Sequence, residues 1–109
     1  DDIFLNHMEN FVVDNLNDDF LLVGDLNAND QTWENKKIIN RLLDKGAVDI
    51  WMMFGNDENT PTEAQYQGRL DYAIASPSLA KKVKNIEIDP FLMNAGVTDH
   101  AAIIVDINE

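Results

Sequence analysis

Apolar residues recur at helical spacing in two stretches of this chain, residues 4–17 and residues 32–45. Each stretch is therefore predicted to be an amphipathic helix with one buried face. The first apolar stripe comprises Phe4, Leu5, Met8, Phe11, Val12 and Leu16. The second comprises Trp33, Ile38, Ile39, Leu42 and Leu43. Gly46 follows the second stretch, at a position where glycine commonly ends a helix.

Short strand-like runs alternate with these helices. Residues 20–23 are continuously apolar, which is typical of a strand buried on both faces. Residues 69–75 and 83–88 alternate between apolar and polar positions, and a last apolar run covers residues 101–107. Because helices and strands interleave, the predicted class is α/β or α+β.

The remaining segments have weaker patterns. The apolar residues 48–54 fit a strand or a short helix equally well. Ser76 and Pro77 have the properties of the N-cap and the first residue of a short helix. The other polar stretches are predicted to be loops, namely residues 24–31, 55–68 and 91–98.

Length and charge limit the range of functions. The chain has 109 residues, enough for one small domain or part of a larger one. Its 20 acidic and 8 basic residues give a net charge of −12, which disfavours a self-sufficient nucleic-acid binder, because phosphate backbones are bound largely by Lys and Arg. The absence of cysteine excludes disulfides and thiolate metal sites. With no apolar run of membrane length and no recognisable targeting segment, a soluble, cytoplasmic protein is favoured, although the compartment stays open.

Polar residues suited to phosphate chemistry stand at or near the ends of three predicted strands. Asp25 and Asn27 follow the first strand after Gly24, and residues two apart in an extended segment face the same side. Asp71 lies within the third-to-last strand. Asp99 and His100 precede the last strand, and a nearby carboxylate can fix the tautomer of a histidine and stabilise its protonated form. One interpretation is a single site assembled from these five residues.

Each of these signals also has a purely structural explanation. Asp25 and Asn27 can stabilise a turn after a strand. Asp71 can form an ion pair with Arg69, two residues before it. His100 can be a loop histidine without a function.

Two other possible sites, an EF-hand calcium loop and a functional His7, are not favoured. The segment from Asp25 to Asp30 begins like a calcium-binding EF-hand loop, but its sixth and twelfth positions hold Asp30 and Lys36 instead of Gly and Glu. His7 falls within the first predicted helix and is expected to be at the surface or partly buried.

Three short motifs together resemble those of the endonuclease/exonuclease/phosphatase family, the deoxyribonuclease I-like superfamily that includes exonuclease III. The family's Gly-Asp-Phe-Asn motif is matched by Gly24-Asp25-Leu26-Asn27. Its Arg-Ile-Asp-Tyr-like motif is matched by Arg69-Leu70-Asp71-Tyr72. Its Ser-Asp-His motif is matched by Thr98-Asp99-His100. The likeness covers nearly the whole chain, with Leu for Phe, Leu for Ile and Thr for Ser as mild departures.

The resemblance implies a fold and a chemistry. The fold would be the C-terminal half of a four-layer αββα sandwich, an α+β architecture of mostly antiparallel or mixed sheet with flanking helices, over residues 1–109. The reaction would be hydrolysis of a phosphoric ester with Mg²⁺ or Mn²⁺, as in phosphodiesterases and nucleases. The substrate would be DNA, RNA, a phospholipid or a small phosphoester, which the motifs do not distinguish.

The resemblance also assigns roles to residues. Asp25 would activate or orient the nucleophile, and Asn27 and His100 would bind the scissile phosphate. Asp71 would support the site from behind, and Asp99 would orient His100. The metal ion would lie close to Asp25, Asn27 and Asp99.

The first half of the family's domain, which carries an Asn and the main metal-binding Glu, has no counterpart in this sequence. We therefore expect the isolated chain to be inactive. Its uncovered sheet face is expected to self-associate or to be covered by the rest of a longer protein. One alternative is a catalytically inactive relative that acts as a binding or interaction module. Another is a calcium-dependent acidic adhesion or structural domain.

Overall fold

The computed structural model describes residues 2–28, 34–66 and 68–108 of the chain. Its elements, in chain order, are α1 (Asp2–Asp14), β1 (Leu21–Asp25), α2 (Glu34–Asp44), β2 (Val48–Asp49), α3 (Ile50–Met53), β3 (Asp71–Ala75), α4 (Pro77–Ala80), β4 (Val83–Asp89), α5 (Phe91–Asn94) and β5 (Ala102–Ile107). Within these described ranges, no helix is both long enough and apolar enough to cross a membrane.

Strand β3 is the centre of a three-stranded sheet with the order β1–β3–β2. Both neighbours pair with it in antiparallel orientation, and the β1–β3 register places Asp25 directly opposite Asp71. All five residues of β3 are buried. Strands β4 and β5 form a separate antiparallel pair, in which Asp89 lies opposite Ala102. These antiparallel sheets with flanking helices confirm the predicted α+β class.

The two faces of β3 belong to different hydrophobic clusters, because side chains alternate along a strand. One face packs against α1 and α2, in a cluster that includes Leu5, Met8, Val12, Ile38, Ile39, Leu42, Tyr72 and Ile74. The other face carries alanines and joins a cluster of Ile50, Ala73, Ala75, Ala80, Val83 and Ile86. Strand β3 is therefore enclosed on both sides, and this fixes the position of Asp71 at its first residue.

Helix α1 begins and ends earlier than the predicted residues 4–17. The Asn15 side chain donates a hydrogen bond to the carbonyl of Phe11 at 2.7 Å, just beyond the last helical residue. The predicted stripe is only partly buried, because Phe4 and Phe11 are 54% and 47% exposed. The apolar stripe of α1 is thus wider than the surface that covers it among the described residues, and these two aromatic side chains lie at its solvent edge.

Helix α2 lies within the predicted residues 32–45, and its apolar stripe is buried at Ile38, Ile39 and Leu42. The predicted stripe residue Trp33 lies outside the described residues. Gly46 follows the helix with a φ of 115°, a conformation that glycine adopts readily, so its predicted capping position is confirmed.

The prediction that residues 20–23 are buried on both faces was wrong. Val23 is 48% exposed. Strand β1 lies at the edge of the three-stranded sheet, where fewer neighbouring elements cover it than cover β3. A continuous apolar run therefore overstated the burial of this strand.

Two further segments differ from expectation. Residues 48–54, which fitted a strand or a helix equally well, contain one of each, because strand β2 passes directly into helix α3. The Asp49 carboxylate caps the first turn of α3 by accepting a hydrogen bond from the Met52 N–H. The predicted loop 91–98 begins with helix α5. The carboxylate of Asp89 accepts from the Phe91 N–H at 3.0 Å and so stabilises the start of that helix.

Candidate active site

The pairing of β1 with β3 brings the first two motifs together. Asp25, the last residue of β1, is opposite Asp71, the first residue of β3. Just beyond the ladder, the Leu26 N–H donates to the carbonyl of Leu70 at 2.9 Å. The two carboxylates therefore emerge at the same end of the sheet, as a single site built from separate motifs requires.

A short segment around Thr62 attaches the third motif to this end of the sheet. The Ala101 N–H donates to the Thr62 carbonyl, and the Ala64 N–H donates to the Asp99 carbonyl, both at 2.9 Å. The buried Thr62 hydroxyl accepts from the Leu70 N–H at 2.8 Å, beside β3. Thr62 thus connects β3 to the start of β5 and determines where the histidine motif lies.

His100 lies between the two carboxylates. Its Nδ1 is 2.8 Å from Asp71 Oδ2, and its Nε2 is 3.4 Å from Asp25 Oδ2. One ligand atom from each of these three residues lies within 4.8 Å of the other two. The Asp71 side chain is 10% exposed, whereas those of His100 and Asp25 are 29% and 37% exposed. The cluster therefore has a buried side at Asp71 and an open side at Asp25.

The acidic surroundings raise the pKa of His100 above its ordinary value. The hydrogen bond with Asp71 is the largest cause, and burial opposes it. The negative charges of Asp71, Asp25 and Asp99 raise the pKa further. The cationic imidazolium is therefore favoured, and such a group can donate a hydrogen bond to a phosphoryl oxygen.

Asn27 is held in an uncommon backbone conformation beside this cluster. Its φ is 50°, in the left-handed region that asparagine tolerates better than most residues. Its N–H donates to Asp25 Oδ1 at 2.9 Å. The Asn35 amide donates to the carbonyl of Leu26 at 2.9 Å, and the Tyr72 hydroxyl donates to the carbonyl of Ala28 at 2.7 Å. The exposed Asn27 side chain is thus carried by a turn that is fixed on both flanks.

A buried charged network supports this turn from behind. The ammonium of Lys36, which is only 4% exposed, donates to the Tyr72 hydroxyl at 3.0 Å and to Glu58 at 2.7 Å. Burial lowers the pKa of Lys36, but the hydrogen bonds to Glu58 and Tyr72 outweigh it and raise the pKa overall. On the same ring, the Arg69 guanidinium lies 4.2 Å from the centroid of Tyr72. Sequence reasoning missed Lys36, whose position on the apolar side of α2 was its only signal.

The structural alternative for Asp71, an ion pair with Arg69, was wrong. The Arg69 guanidinium instead binds both carboxylate oxygens of Asp49, at 2.8 and 2.5 Å, and the two side chains are 1% and 6% exposed. Arg69 precedes the first residue of β3, so strand alternation does not place it beside Asp71. Asp71 is therefore available to hold His100.

The expected role of Asp99 is not the one seen here. Asp71, rather than Asp99, makes the hydrogen bond that orients the ring of His100. Asp99 is exposed, and among the described residues its hydrogen bonding is through its backbone carbonyl. The predicted metal ligands were Asp25, Asn27 and Asp99. The cluster of possible ligand atoms in the structure consists instead of Asp25, Asp71 and His100. His7 is exposed on α1, which confirms its predicted surface position.

Comparison with known proteins gives a result at the level of fold. No family model and no curated protein sequence matches this chain. Its structure is similar to that of the 3′ phosphatase NExo from Neisseria bound to a product DNA hairpin, with a TM-score of 0.75 and 17% identity over 99% of this chain. It is also similar to an AP endonuclease from Archaeoglobus fulgidus, with a TM-score of 0.76 and 16% identity over 97% of this chain. A third similar structure is the 3′-5′ exonuclease NExo from Neisseria meningitidis, with a TM-score of 0.73 and 18% identity over 99% of this chain.

The matched region is only part of each of these structures. This chain covers 53%, 52% and 53% of their lengths, so it spans about half of each solved relative. The predicted fold, part of a larger α+β domain of the deoxyribonuclease I-like fold, is thereby confirmed.

Proposed function

We propose that this chain provides the C-terminal half of a metal-dependent phosphoric ester hydrolase of the phosphodiesterase or nuclease type. The observation that carries the proposal is the convergence of Asp25, Asp71 and His100, which come from three separate motifs. Nδ1 and Nε2 of one imidazole each face a carboxylate, at 2.8 and 3.4 Å. A structural loop histidine has no need of such a doubly acidic setting.

In this proposal, His100 is the principal donor to the substrate. Asp71 fixes the ring through Nδ1 and stabilises the imidazolium, which leaves the Nε2–H directed toward the open side of the cluster. The Asn27 amide, on its fixed turn, binds a nonbridging phosphate oxygen. Asp25 lies beside both groups, where it can orient an attacking water. Asp99 adds negative charge near His100.

The donor set also fits a hard divalent cation. Mg²⁺ is commonly bound by one or two carboxylates together with substrate phosphate and water. Asp25 has a 37% exposed carboxylate on the open side of the cluster. Asn27, two residues after Asp25, and Asp99, directly before His100, are also exposed. We therefore propose that Asp25, with Asn27 and Asp99, would hold Mg²⁺ or Mn²⁺. When bound, the ion would neutralise charge on the phosphoryl group.

Substitutions in the protein that carries this chain test the proposal. Asn27→Ala and His100→Ala should each lower the rate of bis(p-nitrophenyl) phosphate hydrolysis in Mg²⁺ by about 100-fold or more, because each removes a contact to the reacting phosphate. Thermal unfolding should change little in both variants. His7→Ala is the matched control, since His7 is exposed on α1. Unchanged rates in both site variants would refute the proposal.

We also propose that the isolated 109-residue chain does not turn over substrate, because it covers only about half of each matched enzyme structure. Purified chain should show no Mg²⁺-dependent phosphodiesterase activity above the His100→Ala variant. If the longer protein also lacks activity yet binds phosphate esters through His100, the alternative of a binding module replaces the enzyme proposal.

A further inference from the structure

A pocket of about 510 Å³ opens beside His100. Its lining residues are Asp89, Phe91, Leu92, Thr98, His100, Ala101 and Ala102. Among them, only His100 belongs to the five residues that the proposed reaction uses. The pocket therefore adjoins the proposed phosphate position and has space for another part of the substrate.

One wall of this pocket is built by a hydrogen-bonded structure around α5. The Asp89 carboxylate accepts from the Phe91 N–H at 3.0 Å at the start of the helix. The Val97 N–H donates to the Leu92 carbonyl at 3.0 Å, and Gly96, with a φ of 77°, allows the chain to turn there. These contacts hold Phe91 and Leu92 beside the histidine motif.

Small side chains leave the pocket open where β5 begins. Ala102 lies opposite Asp89 in the β4–β5 pair. Ala101 is buried, and its N–H donates to the Thr62 carbonyl, so the backbone at this point is fixed to the same segment that positions His100. A larger side chain at residue 102 would occupy space that the two alanines leave free.

The chemistry of the lining is apolar, with one acidic group. Phe91 and Leu92 are 71% and 51% exposed, so they present apolar surface that a ligand can cover. Among the residues that the structure describes, His100 is the one cationic side chain that lines the pocket, and Asp89 adds a carboxylate. With His100 taken up by the substrate phosphate, a second phosphate or a carboxylate placed here would face the negative charge of Asp89.

We propose that this pocket binds the organic group esterified to the substrate phosphate, and that it selects an uncharged, apolar group of about the size of an aromatic ring. The proposal rests on the proposed function, because His100 is taken to hold the phosphate. Phe91, Leu92 and Ala102 are its specificity-determining residues. Asp89 excludes anionic groups from the same space.

The first experiment tests whether the pocket binds an apolar group. Amide NMR titrations in Mg²⁺ measure the affinity of the 109-residue chain for phenyl phosphate and for inorganic phosphate. Phenyl phosphate should bind about tenfold more tightly, because its ring covers apolar surface. Ala102→Phe fills the pocket, and the double variant Phe91→Ala, Leu92→Ala removes its apolar wall. Each should abolish the advantage of phenyl phosphate and leave inorganic phosphate binding unchanged. Val97→Ala is the matched control, since Val97 is 71% exposed and does not line the pocket.

A second probe tests the exclusion of charge. We expect 4-carboxyphenyl phosphate to bind about tenfold more weakly than phenyl phosphate, because its carboxylate would face Asp89. Asp89→Asn should remove most of that difference. Asparagine can still accept the hydrogen bond from the Phe91 N–H, so helix α5 keeps its first turn.

The outcomes separate this proposal from the one on which it rests. If His100→Ala does not weaken inorganic phosphate binding, the phosphate site itself is wrong and both proposals fall. If His100→Ala does weaken it, but phenyl phosphate has no advantage, only the pocket proposal is overturned. The pocket proposal is also overturned if the advantage persists in both Ala102→Phe and the double variant.

Discussion

At the scale of single residues, Asp71 determines how the histidine is presented. Its side chain is 10% exposed and contacts His100 Nδ1 at 2.8 Å. Its own N–H donates to the Thr62 hydroxyl at 3.2 Å, so the carboxylate is carried by a backbone that is fixed as well. Removing the charge of Asp71 while keeping its shape should therefore affect His100 more than it affects the fold.

We predict that Asp71→Asn lowers the pKa of His100, because the strongest interaction with the imidazolium is lost. Folding raises this pKa above 6.5, so the interaction stabilises the native protein fully below pH 6.5 and is lost as the pH rises through the folded-state value. The variant should lose that pH-dependent part of the unfolding free energy. Histidine ring-proton NMR titration in EDTA measures the change.

The other histidine provides the internal reference for this experiment. His7 is exposed on α1, so its ring resonances should be the same in the wild-type chain and in Asp71→Asn. If the titration of His100 is unaffected by the substitution, the hydrogen bond to Asp71 does not control its protonation.

The ion pair between Arg69 and Asp49 concerns stability rather than chemistry. We predict that Asp49→Ala destabilises the chain by about 3–5 kcal/mol, because it leaves the buried guanidinium without its carboxylate. Urea unfolding measures the effect. Glu9→Ala breaks the more exposed pair with Arg41 and should cost only up to about 1 kcal/mol. Equal losses of unfolding free energy in Asp49→Ala and Glu9→Ala would contradict the view that the buried ion pair matters more for stability than the exposed one.

At the scale of elements, Ser76 joins the end of β3 to the start of α4. Its buried hydroxyl accepts from the Leu79 N–H at 3.4 Å and from the Phe20 N–H at 3.0 Å. Ser76→Ala should therefore destabilise the chain by about 1–3 kcal/mol, since a helix cap and a buried acceptor are lost together. Ser78→Ala, at an exposed position of the same helix, should change thermal unfolding much less. If Ser78→Ala lowered the unfolding free energy more than Ser76→Ala does, the cap formed by Ser76 would be unimportant for stability.

Elements with a local cause were predictable from the sequence. The cap formed by Ser76 and the glycine turn at Gly46, just after α2, follow from residues adjacent in the chain. Helix α5 was missed because its start depends on Asp89, whose carboxylate serves as the cap in place of a residue directly before the helix. The exposure of Val23 was missed because it depends on the position of β1 at a sheet edge.

The candidate site also has features that the sequence predicted and features that depend on tertiary packing. The motifs predicted that Asp25, Asp71 and His100 converge, because each stands at or near the end of a predicted strand, and the structure brings the three side chains together. The sequence suggested two carboxylates for orienting the histidine: Asp99, its neighbour in sequence, and Asp71, 29 positions away and expected to support the site from behind. Only the tertiary structure shows that Asp71 makes the hydrogen bond. The partner of Arg69, 20 positions away, depends likewise on tertiary packing.

At the scale of the whole molecule, apolar surface remains open along α1 and β1. A groove of about 280 Å³ is lined by Phe4, His7, Met8, Phe11 and Leu22. Val23 on the adjoining edge strand is 48% exposed. Unpaired edge strands with apolar side chains favour association with another chain. The net charge of −12 opposes association, and salt screens that repulsion beyond a Debye length of about 8 Å at 0.15 M.

We predict that the isolated chain self-associates through this surface, with a weight-average mass that rises with protein concentration in 0.15 M salt. Val23→Lys should shift the chain toward the monomer in analytical ultracentrifugation, because lysine on an edge strand opposes pairing with a second strand. Asn59→Lys adds the same charge on an exposed loop and should leave association unchanged. A well-folded monomer at every concentration would mean that burying this apolar surface gains less free energy than the acidic charge costs.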